Sequence, residues 1–481
     1  MPKQVPILIA LAVVGMYFAI ISHGTAVDDA HITMRVVRNA LEGRGLRYNE
    51  GDMGVQVATS PLNLLAMLTV SWILRLLGIP AEAAALTAPV VILSLALPAM
   101  GIGAYLLMLG DKRQSFLAAA AATFLMAVPL GRATIGLETI LGAALCFAAL
   151  LAYRKQKWKA MSWLLGLAFL ARHDAAILAG ILFLLTWRET KKDPSVRFLP
   201  LILGFIMVAV PWLIFSVLYY GVTTPTTLAS KMSQGGTVYW PAPYYELFWP
   251  WIKTYFLNSA VLAGLVAVLA LIGVVLGLRS RTRASSAVLV FVLHQALIFL
   301  AYVLLRMPDY YWYFVPYAIA MVLSAGWLLA NFGEIRLPAK IAGWAAVAAV
   351  LIAAASMRAL PSWGGGPLES YREVGRYIVQ HPPRVAAGLM EIGIIGFYAP
   401  GVRVFDFAGV ASLDQAKRVS ENRAHEWLSD PSVADVVVIR GVKHPLEPDI
   451  DNRFERLYRH EWDSPPSLSF PKGVQIWRLK P

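Results

Sequence analysis

The sequence predicts an α-helical polytopic membrane protein of about 11 transmembrane helices ending in a small C-terminal α/β domain. Three observations carry that prediction. Of 481 residues, 58% are apolar and only 15% charged, with a mean hydropathy of +0.61, whereas soluble globular chains carry about 25% charged residues. Apolar stretches recur from residue 5 to residue 357. From residue 358 the composition becomes that of an ordinary soluble domain. A soluble enzyme, a disordered protein and a fibrous protein are thereby excluded.

The net charge of +13 resides wholly in residues 1–360, which hold 27 Lys+Arg and 14 Asp+Glu, while residues 361–481 hold 15 of each. Such an excess is a membrane-topology signal and not a nucleic-acid footprint. Cys146 is the lone cysteine, so the chain folds without an intrachain disulfide or a thiolate metal cluster.

Twelve apolar candidates lie at 5–22, 61–77, 84–109, 114–130, 138–153, 160–171, 174–187, 198–220, 253–278, 284–305, 312–331 and 339–357. The positive-inside rule places Lys112-Arg113, Arg154 to Lys159, Arg188 to Arg197 and Arg279 to Arg283 in the cytoplasm. Twelve spans from an inside N-terminus would put all four clusters outside. One non-spanning early segment repairs all four, and 61–77 is the choice, because Pro61 opens it and Arg75 interrupts it. That helix is expected along the outer surface, within a first outer loop at 23–83, giving eleven spans, a cytoplasmic N-terminus and an extracytoplasmic C-terminus. The first run is read as a span, although Gly24 and Ala26 would satisfy a signal-peptide cleavage pattern. The short runs 160–171 and 174–187 meet at Arg172-His173-Asp174 and are expected to stop beneath a water-filled cavity.

The expected organisation is a membrane module at 1–357 and an outer domain at 358–481. In the latter, a helix at 368–380 precedes strand-like runs at 385–390, 402–407, 435–439 and 474–477, with a polar helix around 413–428.

This threading gathers the unusual polar residues on one side. Asp28, Asp29, Arg35, Arg132, Glu138, Arg172, His173, Asp174, Lys231, Arg306 and Asp309 all fall in outer loops. Ionisable groups at the ends of short spans are costly unless they line a wet cavity, so their convergence points to an outward-facing site. The bland alternative is interfacial anchors and solvated loop charges. In the first outer loop, on a helix starting near Asp28, positions 28, 32, 35 and 39 share a face, which puts a carboxylate near the Arg35 guanidinium. Such a carboxylate serves as a general base or holds a divalent cation, and the arginine binds phosphate; an acid pair complementing the helix dipole with Thr25 as N-cap stays open beside these. Gly43 and Gly45 are read as the end of that helix. Met307 to Tyr313, with Tyr310 among its aromatics, reads as an interfacial belt, or as a sugar-stacking surface or polyprenyl groove, and Tyr239, Trp240, Tyr244 and Tyr245 share the ambiguity. No HExxH, P-loop or GxGxxG spacing is present, which disfavours zinc chemistry and nucleotide donors.

The string Val27 to Arg35, continuing through Asn39, Gly43, Gly45, Asn49 and Thr59-Ser60-Pro61, resembles the first-loop signature of a multi-pass GT-C glycosyltransferase family that includes bacterial arabinofuranosyltransferases of the AftB type. Further resemblances follow in order: Gly136 to Thr139, Arg172 to Asp174, Tyr220-Gly221 through Pro225 to Lys231, Glu391 to Gly393 with Gly396 to Tyr398, and Val404 to Gly409. His31, His173 and Thr226 depart from the family's usual Tyr, Pro and Asn. The resemblance implies a GT-C-like fold and inverting transfer of a sugar from a polyprenyl-phosphate donor to an extracytoplasmic glycan, lipid or protein acceptor in the cell membrane. Asp28 or Asp29 would be the base, and Lys231, Arg172 or Arg306 would steady the leaving phosphate. No nucleic-acid partner is implied, and a divalent cation at the acid pair stays open. The other readings are a secondary transporter or lipid-linked-sugar flippase, and a non-catalytic homologue. Almost acid-free mid-span stretches argue against transport, and the retained acid pair with Lys231 argues against a non-catalytic role.

Overall fold

The computed structural model describes residues 4–24, 26–52, 55–109, 116–130, 134–191, 197–280, 282–308, 310–332, 365–430, 432–440, 445–448, 457–464 and 473–481. Thr25, the Lys112-Arg113 cluster, Arg132, Asp309 and the run at 339–357 lie outside the described residues.

Helices α1 (Val5–Ile21), α2 (Asp28–Leu41), α3 (Pro61–Leu76), α4 (Ala81–Met108), α5 (Phe116–Leu130), α6 (Thr139–Arg154), α7 (Trp158–Ala171), α8 (Ala175–Thr190) and α9 (Leu199–Tyr220) form the first part. After them come α10 (Thr226–Gln234), α11 (Phe248–Tyr255), α12 (Ala260–Ser280), α13 (Arg283–Leu304) and α14 (Val315–Phe332). The described stretches Ala81–Met108, Leu199–Tyr220, Ala260–Ser280, Arg283–Leu304 and Tyr311–Asn331 are long and apolar enough to cross a membrane, and five more apolar helices are shorter. The chain is a multi-pass membrane protein.

Lipid gives helices no hydrophobic reason to associate, so close packing by small residues must do so. Gly15 of α1 lies on Pro98 of α4, where a Cβ would come within 2.7 Å of the proline Cγ. Gly273 of α12 lies on Ser324 of α14, whose hydroxyl donates to the Ala270 carbonyl at 2.9 Å. Helix α3 is capped by Ser60 and keeps Leu64, Met67 and Ser71 buried while Trp72, Ile73 and Leu76 are exposed.

The C-terminal part holds α15 (Gly365–Gln380), β1 (Ala387–Leu389), α16 (Ile394–Tyr398), β2 (Val404–Asp406), α17 (Leu413–Ser420), β3 (Val436–Arg440), β4 (Tyr458–Asp463) and β5 (Val474–Leu479). The strands form one sheet in the order β2-β1-β3-β5-β4. β1 runs parallel to β2 and β3, and β5 runs antiparallel to β3 and β4. Phe407 and Trp427 stack with centroids 5.1 Å apart, and a Cβ at Gly388 would come within 2.8 Å of the Phe407 ring. Each strand-like run of the sequence appears as a strand. β4 was not expected, because only Tyr458 of its six residues is buried and its apolar alternation is weak.

Candidate active site

Helix α2 starts at Asp28, with Val27 as N-cap in an extended conformation and no side-chain cap. The chain leaves it through Gly43 and Gly45, both at positive φ, as helix-ending glycines do. Two consecutive helical residues point about 100° apart, and here the acid pair divides. Asp28 accepts from the Gly393 N–H at 2.8 Å and the Ile394 N–H at 2.6 Å. Burial, with Glu391 nearby, pushes the Asp28 carboxyl well above the usual range. Asp29 turns the other way and accepts from the Lys231 ammonium at 2.7 Å through Oδ2, while Oδ1 carries no protein hydrogen bond among the described residues. The Asp29 side chain keeps 22% exposure against 5% for Lys231, so Asp29 is the member of this pair open to a ligand.

Lys231 comes from α10, which begins after the left-handed Gly221 that ends α9. Its Nζ lies 4.3 Å from the Tyr310 ring centroid, 5.3 Å from Trp312 and 5.6 Å from Tyr313. Burial draws its proton affinity down, but the Asp29 carboxylate and the tyrosines outweigh that and hold it charged. Tyr310 donates to Gln234 Oε1 at 3.1 Å, which fixes one wall of the aromatic box. The stretch expected as a belt or a sugar surface therefore cages a cation.

Arg172 and Asp174 form a second polar centre. Arg172 Nη2 donates to Asp174 at 2.5 Å and Nε at 3.1 Å, Glu138 lies 3.6 Å from Nη1, and the Tyr302 hydroxyl donates to Asp174 at 3.1 Å. Nη1, ion-paired with Glu138, is buried without a hydrogen-bond partner among the described residues. Held only by that long ion pair, Nη1 keeps donor capacity for an anion. His173 packs edge-on against Phe169 at 5.1 Å.

Arg35 does not meet Asp28. Its guanidinium is buried and donates to the carbonyls of Tyr48 at 2.9 Å, Val402 at 2.7 Å and Gly396. Such donors are committed to backbone and not free for phosphate. The face shared by positions 28 and 35 is real, yet both side chains reach a common third partner, the segment around α16. Arg306 is exposed, in a left-handed conformation at φ 50, and lines a cavity of about 320 Å³ with Gly236, Tyr244 and Tyr245. Among the departures, His31 is neutral near pH 7 because burial lowers its pKa to about 4, and it packs on Phe397. Thr226 donates to the Gln56 carbonyl at 2.9 Å.

The residues do not fit a cation held between Asp28 and Asp29, since backbone N–H groups occupy one carboxylate and an ammonium the other. Among the described residues no three His, Cys, Asp or Glu side chains converge as metal ligands.

Sequence reasoning assigned no role to Asp406 or Glu391, although both lie in quoted motifs. Glu391 pairs with Arg440 at 2.5 Å. Asp406, 1% exposed, accepts from Ala408 and Ala411 N–H groups at 2.8 Å each. Burial raises its carboxyl from 3.8 to about 6, against the lowering by those N–H groups. Below pH 4 the proton is bound in both states; between about 4 and 6 the folded chain keeps it and the unfolded chain does not. Stability contributed by Asp406 is therefore present at low pH and lost as pH rises through 6, by roughly 3 kcal/mol. Thermal unfolding of wild type and Asp406→Asn at pH 4, 5, 6 and 7 should show a gap that changes across this window; parallel curves would contradict the shift.

The fold these elements compose is shared with solved membrane proteins of known activity. ArnT from Cupriavidus metallidurans, in a structure bound to undecaprenyl phosphate, superposes with a TM-score of 0.57 at 14% identity over 99% of this chain and 98% of that one. The oligosaccharyltransferase AglB from Archaeoglobus fulgidus, in complex with an inhibitory peptide and a dolichol-phosphate, gives 0.55 at 11% identity over 91% of this chain and 69% of that one. In sequence, the chain is 29% identical over 231 residues to the terminal beta-(1->2)-arabinofuranosyltransferase of Mycobacterium tuberculosis, a match that spans 43% of this chain and 35% of that protein's length. No protein-family model matches.

Proposed function

We propose that the chain is an inverting glycosyltransferase that takes a sugar from a polyprenyl-phosphate donor and passes it to an extracytoplasmic glycan, lipid or protein. The observation that carries this reading is the Asp29–Lys231 pair in its aromatic box, within a GT-C fold. Structures of that fold hold undecaprenyl phosphate and a dolichol-phosphate, which supports a lipid-phosphate donor. In the reaction, the acceptor hydroxyl oxygen bonds to the anomeric carbon as the bond from that carbon to the phosphate oxygen breaks. The hydroxyl proton passes to Asp29 Oδ1, and polyprenyl phosphate leaves with the electron pair. Lys231 steadies the charge growing on the phosphate, and the unsatisfied Arg172 nitrogen is a second donor for it.

The reading is tested by offering the purified protein a panel of polyprenyl-phosphate sugars, pentofuranosyl and hexosyl, with membrane-extract acceptors and measuring free polyprenyl phosphate by mass spectrometry. Release from one donor class names the sugar. No release from any donor by folded protein would favour transport or a non-catalytic role.

The site requires an extracytoplasmic C-terminal domain, with 1–357 as the membrane module and 358–481 as the outer domain. Tags at residues 191 and 450 are expected to report opposite sides of the membrane, and tags on one side would overturn the threading.

A further inference from the structure

Asp29 and Lys231 sit on separate helices, 202 residues apart, yet their polar atoms lie within hydrogen-bond distance. What holds them there is visible in the C-terminal sheet. On one side it grips α2: Gly393 and Ile394 donate to Asp28, Arg35 donates to the Gly396 and Val402 carbonyls, and the Tyr48 hydroxyl donates to the Ile392 carbonyl at 2.6 Å. On the other side it grips α10: Ser230 and Gln234 donate to the Ala408 carbonyl at 3.0 Å each, and Thr226 to the Val410 carbonyl at 3.2 Å. Asp406 pins that second loop from within.

Both gripping segments leave the same end of the sheet, the C-terminal ends of β1 and β2. The α16 segment follows β1 and the 406–411 loop follows β2, and these strands are adjacent and parallel, with Leu389 opposite Asp406. The Phe407 N–H donates to the Leu389 carbonyl at 3.0 Å, which ties the two exits together. Neighbouring strands are fixed about 4.8 Å apart, so the separation of the two grips is set by backbone geometry. Asp28 offers no free oxygen to a ligand, and a Cβ at Gly393 would come within 1.8 Å of the Asp28 carbonyl.

We propose that the C-terminal sheet is the positioning element of the Asp29–Lys231 pair, holding α2 and α10 in register, and that Asp28 is the positioning residue that latches α2 to it. The consequence for transfer rests on the function proposed above; the mechanical coupling does not.

The test uses the full chain in lipid nanodiscs, as wild type, Asp28→Asn and Gly393→Ala. The first weakens the latch, and the second forces it apart without altering a charged group. Hydrogen exchange is followed at 392–398 and at 226–234, beside kcat and the donor KM. Both variants are expected to exchange faster in both segments. Both should also lose kcat by about 10- to 100-fold, the scale of a 1 Å misplacement of reacting groups, with donor KM little changed. Faster exchange confined to 392–398 would overturn the coupling. A collapse of kcat in Asp28→Asn with wild-type kcat in an equally loosened Gly393→Ala would make Asp28 a reacting group and overturn its positioning role. If wild type transfers no sugar at all, the proposed function fails, while the exchange comparison still decides the coupling.

Discussion

Asp29→Asn is expected to lower kcat by about 10³- to 10⁴-fold, the upper part of the range for removing a general base, with the donor KM nearly unchanged. Asparagine keeps the shape and can still accept from Lys231, so the helix pair stays joined, while the proton acceptor and the counter-charge of Lys231 are lost. Four other carboxylates among the described residues are already engaged. Asp28 is occupied by two backbone N–H groups, Asp174 by Arg172 and Tyr302, Glu391 by Arg440, and Asp406 by its own loop. Single-turnover release of polyprenyl phosphate, measured beside intact-donor binding, checks this. A variant that binds donor and turns over within tenfold of wild type would remove Asp29 from the reaction. An Asp29→Glu variant should recover part of the rate, because the base returns at a displaced position.

That Asp29 and not Asp28 carries this prediction could not be read from the sequence. The acid pair, the helix start at residue 28, the helix end at Gly43 and Lys231 were legible, because each rests on local rules of helix termini and on motif order. The division of labour between the two acids depends on what faces them across the fold. Asp28 meets a segment 365 residues away and Asp29 a lysine 202 residues away, contacts for which local pattern holds no signal. Arg35 illustrates the same limit: a helix-face argument placed it beside an acid, whereas the folded chain spends its guanidinium on carbonyls of the outer domain. Apolar patterning outlined the strands that are buried, and failed at the edge strand Tyr458–Asp463, where one face meets solvent and five of six side chains are not buried. The aromatic run before α14 was ambiguous because belts and cation cages use the same residues; only the ammonium 4.3 Å from the Tyr310 centroid distinguishes them.

Lys231→Met is expected to lower kcat by about 10²- to 10³-fold, the usual loss when one preorganised donor to a developing anion is removed. The side chain is almost wholly enclosed, so its charge acts with little screening by solvent. Two expected results separate this role from mere packing. Methionine fills the aromatic box, so folding should be retained and thermal unfolding should shift little. The donor KM should change less than kcat, because the charge on the leaving phosphate grows only as the transition state is reached. Lys231→Arg should lie between the two, since the planar guanidinium keeps the charge but fits the box between Tyr310 and Trp312 less well. The decisive observation is a fall in kcat in a variant whose thermal unfolding is little changed. A fall in kcat accompanied by a large loss of thermal stability would mean that Lys231 acts through packing. An unchanged kcat would mean that the leaving phosphate is stabilised elsewhere, with the Arg172 nitrogen the group to test next.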